Sequence, residues 1–76
     1  MYIRQNPILC RETYMWLWKI EIIKGEESIS FNFTKDHKPR IYGENNKFEK
    51  DINNLKLHLK NKHRNDELKQ LEEFIA

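Results

Sequence analysis

One cysteine, two glycines and two prolines occur in a chain of 76 residues, and each scarcity removes a class of explanation. A single thiol, Cys10, cannot form an internal disulfide, so the fold needs no oxidising compartment. With only Gly25 and Gly43, the chain cannot build a glycine-rich phosphate loop. A structural zinc site is excluded by the same count. His58 and His63 follow Phe48 and Leu55 in the order found on a zinc-finger helix, but such a site also needs two closely spaced thiolates. No apolar run approaches the ~20 residues of a membrane span. The opening MYIRQNPILC mixes charge and polarity where a signal peptide carries its apolar stretch. The expectation is a soluble, cytoplasmic protein with no membrane partner, no metal and no cofactor.

What remains is modest in apolar content, at 38%, and rich in charge, at 34%. A chain this short buries only about 60–65% of its extended surface, so most large apolar residues are needed for a core. The aromatic share of 12% supports one folded domain over residues 1–76 rather than a disordered tail. Net charge is +2 but unevenly distributed: residues 1–34 are neutral, residues 35–64 carry +5 and residues 65–76 carry −3. Lysine, asparagine and isoleucine make up 27 residues, a bias of AT-rich genomes. Short reading frames of this composition without enzyme motifs are common among phage and mobile-element accessory proteins, and that origin is the expectation here.

The sharpest local signal is a β-hairpin. Gly25 divides two runs of alternating apolar residues, and a glycine at the first central position suits a type II′ turn over Gly25-Glu26. That turn sets Lys24 opposite Glu27, Ile22 opposite Ile29, Ile20 opposite Phe31 and Trp18 opposite Phe33. A register off by one would oppose isoleucines with serines and asparagines. Ile3 and the PILC stretch offer a third strand, with Pro7 suited to an edge. Met15, Leu17 and Ile23 lie on the second face of the long strand, which leads us to expect partial cover there.

After Thr34, KDHKPRIYGENN reads as a loop by composition, over about 35–46. Asn46 with Glu49 has the spacing of a capping box. Phe48, Ile52, Leu55 and Leu59 then form a single helical stripe, and Leu57 lies about 180° from Phe48 on that helix. Leu68, Leu71 and Ile75 form a second stripe of different phase, with Phe74 on its flank. HRND between them supplies cations at a helix end, and Asn65 or Asp66 would cap a new start. Two helices are expected, at about 47–62 and 66–75; one long helix docking two partners is the alternative. The predicted class is α+β: an antiparallel hairpin or three-stranded sheet over about 1–34, followed by two C-terminal helices packed on one face.

Chemistry is sparse. Cys10 has no nucleophile elbow or oxyanion loop around it, and the carboxylate pairs Glu26/Glu27 and Glu72/Glu73 are adjacent in sequence and do not converge on a substrate. His58 is expected on the flank of a solvated helix. KDHKPRIY gathers His37, Arg40 and Tyr42, a base and cations that a metal-independent ribonuclease would use. The same segment offers nucleic-acid binding through Lys35, Lys38, Arg40 and Tyr42, with Lys47 and Lys50 at the next helix start. Asp36, Glu44, Glu49 and Asp51 dilute that patch. A binding protein that occupies a surface of a larger host protein or nucleoprotein complex, as an inhibitor or modulator, is the leading expectation. Its anchors are large residues outside the core: Trp16, Tyr14, Tyr42 and Leu57. A hairpin edge is also open to a second copy.

Overall fold

The computed structural model describes all 76 residues. Three antiparallel strands, β1 (Tyr2–Cys10), β2 (Met15–Lys24) and β3 (Glu27–Thr34), form a meander with β2 in the middle. Two helices follow, α1 (Phe48–Asn61) and α2 (Asn65–Ile75). Two short 3₁₀ turns, Lys35–His37 and Asn45–Lys47, interrupt the segment read as a loop. The class is α+β, a three-stranded sheet followed by two helices.

The Gly25 turn sets the β2–β3 register. Lys24 pairs with Glu27, Ile22 with Ile29, Ile20 with Phe31 and Trp18 with Phe33. Gly25 has φ +64° whereas Glu26 has negative φ, which fits a II′ turn and excludes I′. On the other side, Ile3 pairs with Ile22, Gln5 with Ile20, Pro7 with Trp18 and Leu9 with Trp16. Pro7 therefore sits in an edge strand, where its missing N–H breaks no ladder.

Alternation places these rows on one face, and every buried sheet residue (Ile3, Ile20, Ile22, Phe31 and Phe33) belongs to it. Ile52, Leu55 and Leu59 of α1 and Leu71 of α2 close over them. The two helical stripes have different phases because α1 and α2 are separate helices with a sharp joint. The opposite face lacks the cover expected from its apolar residues. Tyr2 and Met15 are exposed there, and Ile8, Leu17 and Ile23 are only half-buried.

Both expected caps are corrected. The capping box at Asn46 is not formed: α1 begins after Lys47, without a side-chain cap, on the end of the 3₁₀ turn. That turn already directs the chain into the helix, so no asparagine cap is needed. Nor does Asn65 or Asp66 cap α2, whose N-cap is Arg64. Arg64 is committed to the joint instead, because its N–H belongs to the end of α1. It bonds the Leu59 carbonyl at 2.9 Å while the His63 N–H bonds that of Lys60 at 3.1 Å. With His63 at φ +58°, this is a Schellman motif with histidine in the place usually held by glycine. The Arg64 guanidinium lies 4.3 Å from the Phe33 ring centroid, donates to the Asn32 carbonyl at 3.1 Å and forms a two-pronged bond with Glu67.

Candidate binding surfaces

Between β3 and α1 the chain crosses the helix-bearing face of the sheet as a strap. Lys38 is half-buried, Pro39 buried, Arg40 exposed, Ile41 buried and Tyr42 exposed. This in-out alternation resembles a strand, but side chains hold it in place of a ladder. The buried carboxylate of Asp51 accepts the backbone N–H groups of Tyr42 at 2.8 Å and Gly43 at 2.9 Å. Hydrogen bonds to a charged group contribute about 1.5–3 kcal/mol each. Gly43 has φ +76°, which lets two successive amides converge on one carboxylate. Asn54 donates to the Arg40 carbonyl at 3.1 Å, and Gln5 donates to that of Ile41 at 3.1 Å.

His58 completes the set, and its expected place on a solvated flank is corrected. It is half-buried, donates Nε2–H to the His37 carbonyl and meets the Phe33 ring edge-on at 5.2 Å. Desolvation holds its pKa below the ordinary value; the bond to His37 opposes this, and Lys62 and Arg64 add to it. Asp51, Asn54 and His58 each precede a core residue (Ile52, Leu55, Leu59), so a polar stripe runs beside the apolar one at the same period.

The strap divides the predicted site residues. Arg40, Lys47 and Lys50 converge on the ring of Tyr42, a residue 41% exposed, at 5.6, 5.8 and 5.9 Å from the ring centroid. Lys38 is drawn elsewhere, 5.0 Å from the Trp18 ring and 3.0 Å from Gln5 Oε1. His37 is also apart: its Nδ1 lies 3.3 Å from Lys62 Nζ, and no hydrogen bond joins it to Arg40 or Tyr42. The three residues of the ribonuclease reading therefore fall into two groups. The cleft of about 260 Å³ beside His37, lined by Phe33, Thr34, Lys62 and Arg64 among others, contains no carboxylate.

A second surface lies at the far end of the sheet. The β2–β3 ladder stops at Leu17–Thr34, whereas β1 and β2 continue together to Cys10–Met15. The projecting hairpin carries four exposed large apolar residues: Leu9, Tyr14 (82%), Met15 and Trp16 (63%). Trp18, one row inward, is half-buried beneath Lys38. Lys35 opens the 3₁₀ turn directly after β3. Leu57, 59% exposed, lies away from both surfaces, on a shallow groove between α1 and α2 with Leu68, Lys56 and Lys60.

No group of three or more His, Cys, Asp or Glu side chains is placed to hold a metal ion. No helix is long and apolar enough to cross a membrane. Compared with known proteins, the chain matches no family model, no curated protein and no solved structure.

Sequence reasoning missed Gln5, Asp51, Asn54 and His58 as the residues that hold the strap. Two signals were present in the sequence: the period shared by Asp51, Asn54 and His58, and the alternation of Pro39 and Ile41 with Arg40 and Tyr42.

Proposed function

We propose that this chain is a small non-enzymatic binding protein that acts by occupying a surface of a larger protein or nucleoprotein complex, with the β1–β2 hairpin end as its docking element. The observation that carries this reading is the concentration of Leu9, Tyr14, Met15 and Trp16, all exposed, on one two-stranded projection. Small domains cannot spare large apolar residues from the core, and tryptophan and tyrosine are the residues most enriched among binding hot spots. Tyr14 adds a second support. It holds φ +54°, an unfavourable conformation for a bulky residue, and its exposed ring gains nothing from the core in return. The charge balance argues against mimicry of DNA, which requires a strongly acidic surface. Occupancy by such a module would make it an inhibitor or modulator of its target.

The experiment is capture from nuclease-treated lysate of the source cell or its host. Wild-type protein should retain one stoichiometric protein. A hot-spot residue contributes at least about 2 kcal/mol, so Trp16→Ala should weaken that complex roughly 30-fold or more, while Leu57→Ala leaves it unchanged. Equal capture by the Trp16 variant would remove the hairpin from the interface. Self-association that disappears with Trp16→Ala would identify the partner as a second copy.

A further inference from the structure

We propose that Tyr42, Arg40, Lys47 and Lys50 form a second, independent site that binds single-stranded nucleic acid, with a base stacked on the Tyr42 ring and the flanking phosphates held by the three cations. None of the three cations has a carboxylate partner: the ion pairs of the molecule are Arg4–Glu21, Lys19–Glu21 and Arg64–Glu67. Asp51 is turned inward onto the Tyr42 and Gly43 amides and fully buried, whereas Glu44 and Glu49 are exposed and pair with none of the three cations. The patch therefore holds three cations and two exposed carboxylates, none of them engaged in an ion pair. Like charges each 5.6–5.9 Å from one ring centroid are separated by distances comparable to the Debye length of about 8–10 Å and repel one another. A polyanion relieves that repulsion, and the release of its counterions adds to the affinity.

The aromatic ring decides the class of polyanion. An acidic peptide would use the cations but need not offer an aromatic face to Tyr42, whereas every nucleotide carries one. A base in a duplex is already stacked and unavailable. An unpaired base offers a face to the ring, and its sugar-phosphate chain then runs past Arg40 on one side and the start of α1 on the other. The support is rigid, because the Arg40 and Ile41 carbonyls and the Tyr42 and Gly43 amides are all bonded. Exposed cation–π contacts are weak, so the lysines can move from the ring to phosphate.

The test is fluorescence anisotropy of the full chain with labelled oligothymidylate and oligouridylate about a dozen nucleotides long, matching typical single-strand site sizes. At least one should bind, more tightly than a duplex of equal length. Loss of one stacked base should weaken binding about 5- to 150-fold in Tyr42→Ala, while Tyr42→Phe retains it. Lys47→Ala and Lys50→Ala should each reduce the log–log salt slope by about 0.7. Asp51 grips the Tyr42 backbone rather than its ring, so the ring variants should remain folded; the lysine variants give a second readout if one does not. The proposal is overturned if neither strand binds, if duplex or polyglutamate binds equally well, or if Tyr42→Ala loses nothing. Trp16→Ala should leave strand binding unchanged, so this site and the hairpin reading fail separately.

Discussion

Two non-glycine residues hold positive φ, His63 at +58° and Tyr14 at +54°, and they invite opposite interpretations. His63 is the C′ residue of a Schellman motif, and its side chain is exposed. Nothing in the fold requires an imidazole there. Glycine occupies this conformation without the Cβ clash that costs an L-residue about 1–2 kcal/mol, though it adds unfolded-state entropy. His63→Gly should therefore stabilise the protein by about 0.5–1 kcal/mol, raising Tm by several degrees, with the partner and strand affinities unchanged. Thermal melts of the two chains test this directly. An unchanged or lower Tm would mean that His63 makes a compensating interaction. Tyr14 occupies the same region of φ on the projecting hairpin, and there the strain accompanies an exposed aromatic ring that a partner can use. A function-bearing residue is often retained at some expense of stability. Neither conformation was legible beforehand, because histidine and tyrosine give no turn signal where glycine or asparagine would.

At the scale of elements, legibility followed the strength of the local constraint. The β2–β3 register was readable because Gly25 fixes the turn and each apolar residue has one apolar partner in only one alignment. The helical stripes were readable because a 3.6-residue period is redundant over several turns. The caps were misread because a side chain that can cap competes with a neighbouring turn that makes capping unnecessary, and sequence alone does not rank the two. The strap was hidden for a different reason. It borrows its hydrogen bonds from Gln5, Asp51, Asn54 and His58, residues distant in sequence, so its order is visible only once α1 lies beside it. His58 makes this attachment dependent on pH. Its Nε2–H is given to the His37 carbonyl, leaving Nδ1 to titrate, and desolvation first, then Lys62 and Arg64, disfavour the charged ring. A histidine with a lowered folded pKa contributes stability that is present above its unfolded pKa of about 6.5 and lost as pH falls through the folded value. Wild-type Tm should thus drop on acidification from pH ~7.5 into the window below ~6.5. In His58→Gln, whose amide can still donate to the carbonyl, that drop should shrink. If both chains lose the same Tm, the strap attachment is not the acid-sensitive element.

At the scale of the whole molecule, the two candidate surfaces rest on supports of unequal stability. Ile20, Ile22 and Phe31 lie in the three-stranded part of the sheet beneath both helices and are essentially inaccessible. Leu9 and Trp16 pair only with each other, beyond the end of β3. Neither is buried, and the hairpin end holds few apolar contacts to resist opening. Local unfolding free energies range from near zero at such extensions to the global value in the core. The strap carrying Tyr42, though irregular in backbone, is tied down by four side chains and two buried residues. Native-state hydrogen exchange should therefore reverse the order that secondary structure suggests. The Tyr42 and Gly43 amides, bonded to buried Asp51, should exchange more slowly than amides of the strand residues Leu9 to Cys10 and Met15 to Trp16. The amides of Ile20 and Phe31 should be slowest of all. Equal protection of the hairpin end and the sheet centre would show that the extension is as rigid as the core, and Trp16 would then meet the proposed partner preformed. The expected gradient instead gives the protein a firm basic platform at the strap and an adaptable apolar end at the hairpin. The ordering cost of binding would then fall on the hairpin, and hairpin variants would change association rate and affinity together.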